Sequence, residues 1–215
     1  MFSDFLSYSI IRRAVISEKV SIYVNNLRDY TLNRHKKVDD HAYGGGAGMV
    51  MTIEPIDRCI TALKSQRDYQ EVIYMAPDGE LLTQEISNEL SLKKNLILLC
   101  GHYKGVDERV RAHLVTKEIS IGNYVLSGGE IPACVLVDSI VRLIPGVLHD
   151  EISALDDSFQ NGLVAPPVYS KPRVYKGWEV PDVLLSGDKN KIDEWMINKS
   201  IERTKERRPE MNLYL

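Results

Sequence analysis

The sequence lacks the features that mark a membrane protein or a secreted one. No run approaches the ~18 consecutive apolar residues that a membrane span requires. At the N-terminus the first basic residues follow the apolar ones, an order that does not suit a signal peptide. The three cysteines, Cys59, Cys100 and Cys134, are odd in number, far apart and set in apolar stretches, which is typical of reduced core residues. We therefore expect a cytoplasmic protein without membrane contact.

The charge balance lacks an excess of basic residues. Lys and Arg number 27 against 30 Asp and Glu, which gives a net charge of −3, and the sequence pI is about 6.0. Domains that coat nucleic acid over a broad surface usually have a pI above ~9, so any RNA contact must be local. The best basic cluster is Arg34, Lys36 and Lys37, with Asp39 just beyond it. Taken alone, this run also fits a solvated face.

Short apolar runs alternate along the chain with stretches of helical character. The runs are partly β-branched or aromatic and are bounded by polar or glycine-containing segments, which predicts buried strands. The predicted strands are 20–24, 72–76 and 95–100. The predicted helices are 53–66, 82–94 and 131–144, the last ending at a Pro-Gly pair. This alternation predicts an α/β fold with a parallel sheet.

The composition changes after the third predicted helix. Residues 147–172 are polar, acidic and then proline-rich, which favours an extended linker. From residue 186 onward the sequence predicts a helix, with a partial apolar stripe. The stripe consists of Ile192, Trp195, Met196 and Ile201. We therefore predict a first domain over 1–148, a linker over 149–172 and a small helical domain over 173–215.

Glycine-containing loops follow the predicted strands, at the sheet edge where open α/β sheets bind ligands. The loops are 76–79, 101–105 and 121–129. Each alone is typical of a turn, but three at one edge predict a pocket. None has the GxGxxG pattern of a dinucleotide site. The most glycine-dense segment, 43–49, lacks the Lys-Ser/Thr of a P-loop, so we interpret it as a loop that moulds to RNA, with a plain flexible turn as the alternative.

Five long motifs occur in a fixed order along the chain: RHKKVDDHAYGGGAGMVM, CGHYKGVDERV, EISIGNYVLSGGE, RLIPGV and DDSFQNGL. In wording, order and spacing they closely resemble the bacterial tRNA (guanine-N1)-methyltransferase family, over essentially the whole chain. The resemblance implies a methyltransferase domain with a deep trefoil knot, an exception to the rule that chains avoid knots. It also implies that tRNA is methylated at the guanine 3′ of the anticodon, by a homodimer with composite active sites.

The resemblance further implies that S-adenosylmethionine binds among the same three loops. The corresponding residues here are Tyr74, Met75, Ala76, Pro77, Gly101, Tyr103, Ser120, Ile121, Gly122, Tyr124, Leu126, Gly128 and Gly129. Because the basic cluster directly precedes the glycine-dense segment, we predict that both contact RNA. The RNA-binding residues that we predict are Arg34, Lys36, Lys37, Asp39, Gly44, Gly45 and Gly46.

The reaction sets its own chemical demand. Guanine N1 carries a proton, so its methylation needs a base for that proton and a cation near O6. The family's base corresponds to Asp157 and its arginine to Arg142. Asp157 forms an acidic pair with Asp156 in a polar linker, and Arg142 lies near a helix end. Without the resemblance, we would interpret these residues as surface charges.

The chain departs from the family pattern in three places. Members usually begin with a further strand, whereas here Met1 falls where the turn after that strand would finish, so we expect one strand of the family's sheet to be missing. Many members carry Glu at the position of Lys104 and Asp at that of Ala165, both near the reacting centre. The sequence therefore leaves open whether Mg²⁺ is a cofactor here.

Three other functions stay open at the level of sequence. One is a knotted methyltransferase acting on a ribose 2′-hydroxyl, which has no neighbouring carbonyl for Arg142 to stabilise. Another is an RNA-binding module without catalysis. A third is a nucleotide-phosphate binding protein that uses 44–48, which predicts ATP binding at least as tight as that of S-adenosylmethionine.

Overall fold

A computed structural model describes residues 2–148 and 157–214. The chain divides into two units, Met1–His149 and Asp150–Leu215. In the first unit the helices are α1 (Phe2–Leu6), α2 (Ser9–Ile16), α3 (Ile53–Lys64), α4 (Gln84–Ser91), α5 (Glu108–His113) and α6 (Glu130–Val141). The strands are β1 (Asp39–His41), β2 (Met49–Met51), β3 (Glu71–Leu81), β4 (Leu96–Cys100) and β5 (Lys117–Ser120).

The centre of the first unit is a parallel three-stranded sheet with the order β4-β3-β5. The apolar run of β3 is continuous because a central parallel strand is covered on both faces. Alternate side chains of β3 point to opposite faces: Val72 and Tyr74 pack with α3 and α5, whereas Ile73 and Met75 pack with α4 and α6. The predicted α/β class with a parallel sheet is confirmed.

A third apolar cluster joins the N-terminal helices to the end of α6. Ile11 and Ala14 of α2 are buried there against Val141 and Val147. The prediction of a buried strand at 20–24 is wrong: Val20 and Ile22 pack partly into this cluster, but Tyr23 and Val24 are 68% and 60% exposed. No strand among the described residues pairs with this segment, so its backbone forms no ladder.

Two other expectations require correction. Residues 76–79 do not follow a strand but form a bulge inside β3, because Met75 and Glu80 both pair with Ile119 of β5. Of the three cysteines only Cys59 is buried, and the other two are half-buried. All three are free thiols.

The second unit contains a short hairpin and one long helix. Strands β6 (Val174–Tyr175) and β7 (Trp178–Glu179) are antiparallel, and helix α7 spans Lys189–Arg207. The helix begins at the N-cap Asp188, whose side chain accepts a hydrogen bond from the backbone N of Lys191. Residue 164 is attached to this helix, because its backbone N donates to Thr204 Oγ1 at 2.9 Å.

The helix predicted from residue 186 is thus present, although Met196 of its predicted stripe is exposed. Part of the predicted linker, 149–156, lies outside the described residues. The boundaries 1–148, 149–172 and 173–215 stay a prediction, and so does the knot. In the described ranges no helix is both long enough and apolar enough to cross a membrane.

Candidate functional site

Three loops enclose a cavity of about 410 Å³ beside the sheet. The first is the bulge of β3, the second (101–105) follows β4, and the third (121–129) connects β5 to α6. The cavity volume falls in the range of small-molecule sites. The cavity lies where the carboxyl ends of the strands β4 and β5 meet, as expected for an α/β sheet.

The second and third loops touch through glycine backbones. Gly129 N donates to Gly101 O at 2.8 Å, and a Cβ at Gly129 would lie only 2.8 Å from Cys100 Cα. A Cβ at Gly101 would lie 2.9 Å from the Tyr74 ring. Because real Cβ atoms do not approach other atoms so closely, both positions require glycine.

The third loop is ordered by its own hydrogen bonds. Ser120 Oγ donates to Gly122 O at 3.0 Å and accepts from Gly122 N at 3.2 Å. The Tyr124 hydroxyl donates to Ile121 O at 3.3 Å. The side chains of Tyr124 and Leu126 are exposed beside the opening, so the cavity has an apolar rim that a ligand would cover.

The structure brings all thirteen residues predicted for S-adenosylmethionine into the lining of this one cavity. They are Tyr74, Met75, Ala76, Pro77, Gly101, Tyr103, Ser120, Ile121, Gly122, Tyr124, Leu126, Gly128 and Gly129. Their binding role stays a prediction.

An arginine that the sequence did not single out lies in the cavity wall. Arg111 Nε and Nη2 donate to the two carboxylate oxygens of Glu118 at 2.9 and 2.5 Å, and Nη2 also donates to Asp78 at 2.8 Å. The hydrogen bond from Arg111 lowers the pKa of Asp78. The guanidinium carbon lies 5.9 Å from the Tyr74 ring centroid, and burial raises the pKa of that tyrosine.

A second unpredicted pair joins the second loop to α6. His102 Nε2 lies 2.5 Å from Glu130 Oε1, and His102 lines the cavity. Nearby, burial raises the pKa of the Cys100 thiol to about 12, and the Glu130 carboxylate adds to this effect. Asp78 and Arg111 are 33 residues apart and His102 and Glu130 are 28 apart, so no local motif indicates these pairs.

The glycine-dense segment is the turn of a hairpin formed by β1 and β2, in which Asp39 pairs with Met51. Gly44, Gly45 and Gly46 all have positive φ. Lys104 attaches the hairpin to the cavity, since its backbone N donates to the carbonyl of residue 49 at 3.1 Å. The predicted RNA loop is therefore a neighbour of the second cavity loop.

The basic cluster lies on the exposed segment before β1. Arg34, Lys36 and Lys37 are all exposed, and Lys36 Nζ is 3.6 Å from Asp29. Arg28 also donates to the backbone carbonyl of Lys36 at 2.9 Å. These contacts shape the loop and leave its side chains facing solvent.

The two predicted catalytic residues lie elsewhere on the chain. Arg142 follows α6 and lines a second cavity of about 580 Å³, not the three-loop cavity of the same chain. Asp157 is half-buried in a turn of the second unit, where Ser158 Oγ accepts from Ala165 N at 3.0 Å. Its neighbour Asp156 lies outside the described residues.

A family model described as tRNA (Guanine-1)-methyltransferase TrmD matches residues 1–213 of the chain. The chain belongs to the tRNA (guanine-1)-methyltransferase family. The family and the enzyme class that the motifs predict are confirmed.

Similar members of the tRNA (guanine-1)-methyltransferase family come from several bacteria. A protein of Christiangramia forsetii is 62% identical over 203 residues, covering 94% of this chain and 90% of that protein. One of Flavobacterium psychrophilum is 60% identical over 203 residues, with the same coverage of 94% and 90%. One of Bacteroides thetaiotaomicron is 58% identical over 211 residues, covering 98% and 94%. Each is described as a tRNA (guanine-N(1)-)-methyltransferase.

In this tRNA (guanine-1)-methyltransferase, no three His, Cys, Asp or Glu side chains of residues 2–148 and 157–214 cluster as metal ligands. Lys104 lines the cavity, and its side chain lies against the β1–β2 hairpin, since a Cβ at Gly48 would be 3.0 Å from Lys104 Cε. Ala165 contributes a backbone carbonyl that accepts a hydrogen bond from Arg203 at 3.2 Å.

Proposed function

We propose that this enzyme transfers the methyl group of S-adenosylmethionine to N1 of the guanine 3′ of the anticodon in tRNA. The three-loop cavity carries the proposal, because its walls are close-packed glycine backbone at Gly101 and Gly129, with an exposed apolar rim. Such walls suit a ligand that is held by backbone groups and covered by apolar side chains. S-adenosylmethionine supplies a methyl group that is already activated on a sulfonium.

On this proposal Asp157 and Arg142 do the remaining chemistry. The Asp157 carboxylate takes the proton from guanine N1, so that the N1 lone pair becomes nucleophilic. The Arg142 guanidinium donates to O6, where negative charge develops. Both roles belong to the transition state, so loss of either residue should slow the reaction more than it weakens binding.

We further propose a homodimer with composite active sites. On one chain Arg142 lies outside the three-loop cavity. If the cofactor in that cavity and Arg142 act on the same guanine, the arginine must therefore come from a second copy of the chain. Helix α6 supports the dimer, because its side chains Ile131 and Val135 are 47% and 42% exposed and line the same cavity as Arg142. Exposed apolar side chains on one helix face are typical of an interaction surface.

The dimer is tested by mixing two inactive variants. We expect co-refolded Gly129→Val and Asp157→Ala subunits to recover activity, because each heterodimer then contains one intact composite site. Absence of recovery in proven heterodimers would show that each site is complete within one chain.

We also propose that the first unit contains the deep trefoil knot, that the protein is cytoplasmic and that the second unit binds tRNA. Three free cysteines support a reducing compartment. In the β6–β7 hairpin the exposed rings of Tyr175 and Trp178 have centroids 6.0 Å apart, and Lys176 Nζ is 5.4 Å from the Tyr175 centroid. Aromatic rings beside a cation are a combination that suits contact with nucleic acid bases.

Single-turnover methyl transfer to unmodified tRNA tests the mechanism. Asp157→Asn keeps the shape but cannot accept a proton, so the rate should fall by ~10² to 10⁴. Asp156→Asn is the matched control and should keep its rate. Arg142→Lys keeps the charge but loses the planar donor pair, so it should be slower than wild type and faster than Arg142→Ala. Unchanged rates in both aspartate variants would refute the assigned base.

Mapping of the modified nucleotide by mass spectrometry separates this function from the alternatives. A methylated guanine base 3′ of the anticodon supports the proposal. A methylated ribose would indicate the 2′-hydroxyl chemistry instead. RNA binding without any methylated product would indicate a binding module.

A further inference from the structure

Arg111 contacts three residues that lie in or next to the three cavity loops. Its guanidinium lies between Asp78, Glu118 and the ring of Tyr74, and Arg111 itself lines the cavity. These three residues come from β3 and β5, whereas Arg111 comes from the short helix α5. One side chain therefore connects segments that adjoin each of the loops.

The first loop is held through Asp78. The bulge of β3 lies directly over β5, since a Cβ at Gly79 would be 2.7 Å from the backbone carbon of Glu118. Arg111 Nη2 spans this contact by donating to Asp78 at 2.8 Å and to Glu118 at 2.5 Å. Without the guanidinium, two carboxylates would face each other across the bulge, and like charges repel.

The second loop is supported through Tyr74. The Arg111 guanidinium carbon is 5.9 Å from the Tyr74 ring centroid, within the range of a cation–π contact. The same ring is the closest neighbour of a Cβ at Gly101, at 2.9 Å, and its hydroxyl is the closest neighbour of a Cβ at Gly105, at 3.3 Å. The ring position thus sets how near this loop can come to β3.

The third loop is supported through Glu118. This residue lies three positions before Ile121, the first residue of that loop. The bidentate pair with Arg111 holds the end of β5. The side chains of Arg111 and Glu118 are 26% and 25% exposed, so solvent screens this pair less than a surface pair.

We propose that Arg111 is a positioning residue that holds the three loops in the arrangement that binds S-adenosylmethionine. The inference rests on the proposed function, because it takes this cavity as the cofactor site. A planar guanidinium can bridge two carboxylates and lie against a ring at the same time, which a lysine ammonium cannot do. If the loops occupy the binding arrangement only part of the time, the apparent affinity falls by that fraction.

Arg109 offers a matched control on the same helix. Its guanidinium also makes a two-pronged pair, with Asp107 at 2.9 and 2.7 Å, but Asp107 only caps the start of α5. The Arg109 side chain is 61% exposed and does not line the cavity. Replacement of Arg109 therefore removes an arginine pair from α5 and leaves the three loops untouched.

Isothermal titration calorimetry with S-adenosylmethionine and steady-state kinetics with tRNA test the inference. We expect Arg111→Met to raise the dissociation constant about tenfold or more and Arg111→Lys about threefold, following the fraction of loops in the binding arrangement. The KM for S-adenosylmethionine should rise in parallel, while kcat at saturation changes less than about twofold. Arg109→Met should bind within about twofold of wild type.

The outcomes separate this inference from the proposed function. If the wild-type protein does not bind S-adenosylmethionine, the proposed function fails. If wild type binds and a folded Arg111→Met variant binds within twofold of it, the positioning role is refuted, even if the melting temperature falls. Should Arg111→Met not fold, Asp78→Asn removes one contact from the exposed side. In the wild-type background Asp78→Asn should weaken S-adenosylmethionine binding about threefold, and in the Arg111→Lys background it should weaken binding much less. Equal effects in the two backgrounds would overturn the inference.

Discussion

A single methyl group at Gly129 should distort the three-loop cavity and weaken the S-adenosylmethionine binding that we propose for it. Gly129 has φ −80° and ψ −4°, a conformation that alanine adopts without strain, so Gly129→Ala acts only through its side chain. The new Cβ would lie 2.8 Å from Cys100 Cα and 2.9 Å from Gly101 N. Ordinary contacts between carbon atoms begin near ~3.5 Å, so the second and third loops must separate by about 0.7 Å.

The magnitude follows from that displacement. The hydrogen bond from Gly129 N to Gly101 O, now 2.8 Å, would lengthen toward the limit of a hydrogen bond. Overpacking of this size costs about 1–3 kcal/mol, which a ligand must offset if it needs the original spacing. At about 1.4 kcal/mol for each tenfold change, the dissociation constant for S-adenosylmethionine should rise about fivefold to a hundredfold.

Calorimetry with S-adenosylmethionine measures the effect, and Gly187→Ala is the matched control. Gly187 has φ +72° and open space around it, so alanine there costs stability through backbone strain and touches no cavity wall. We expect the control to lower the melting temperature and keep its affinity. Wild-type affinity in a folded Gly129→Ala variant would refute the cofactor assignment of this cavity.

Three further predictions concern charge and reactivity. Replacing Lys36 and Lys37 by alanine should lower the salt slope of tRNA binding by up to about 1.4–1.8, and an unchanged slope would make this run a plain solvated face. The raised pKa of the Cys100 thiol means that very little thiolate forms at neutral pH, so this cysteine should be alkylated slowly in the folded protein, and rapid alkylation would contradict the raised pKa. Because the pKa of Asp78 in the folded protein is lowered from its ordinary value of 3.8, its ion pair contributes fully to the free energy of unfolding above pH 3.8. That contribution is lost as the pH falls through the lowered pKa of the folded state. The stability difference between wild type and Asp78→Asn, measured by urea unfolding, should therefore shrink with acid, and growth of that difference would contradict the ion pair.

The elements that could be predicted are those with a local signal. The apolar runs at 72–76 and 95–100 form β3 and β4, and the periodic stretch at 53–66 forms α3. These elements could be predicted because a strand buried on both faces needs consecutive apolar residues and a helix buried on one face needs them every three to four positions. The run at 20–24 carries the same local signal but has no partner strand among the described residues. Strand formation depends on a partner that periodicity cannot supply.

The sequence by itself determined the family and two of the three glycine loops, because long motifs and glycines after strands are features of adjacent residues. The remaining segment, 76–79, proved to be a bulge inside β3. The sequence also predicted that the loops form a pocket, but only the tertiary structure decided that Arg142 lies outside that pocket on the same chain. The pairs of Arg111 with Asp78 and of His102 with Glu130 also came from the structure alone. Their partners are 33 and 28 residues apart, and parallel strands bring such distant positions together through crossovers that leave no spacing rule in the chain.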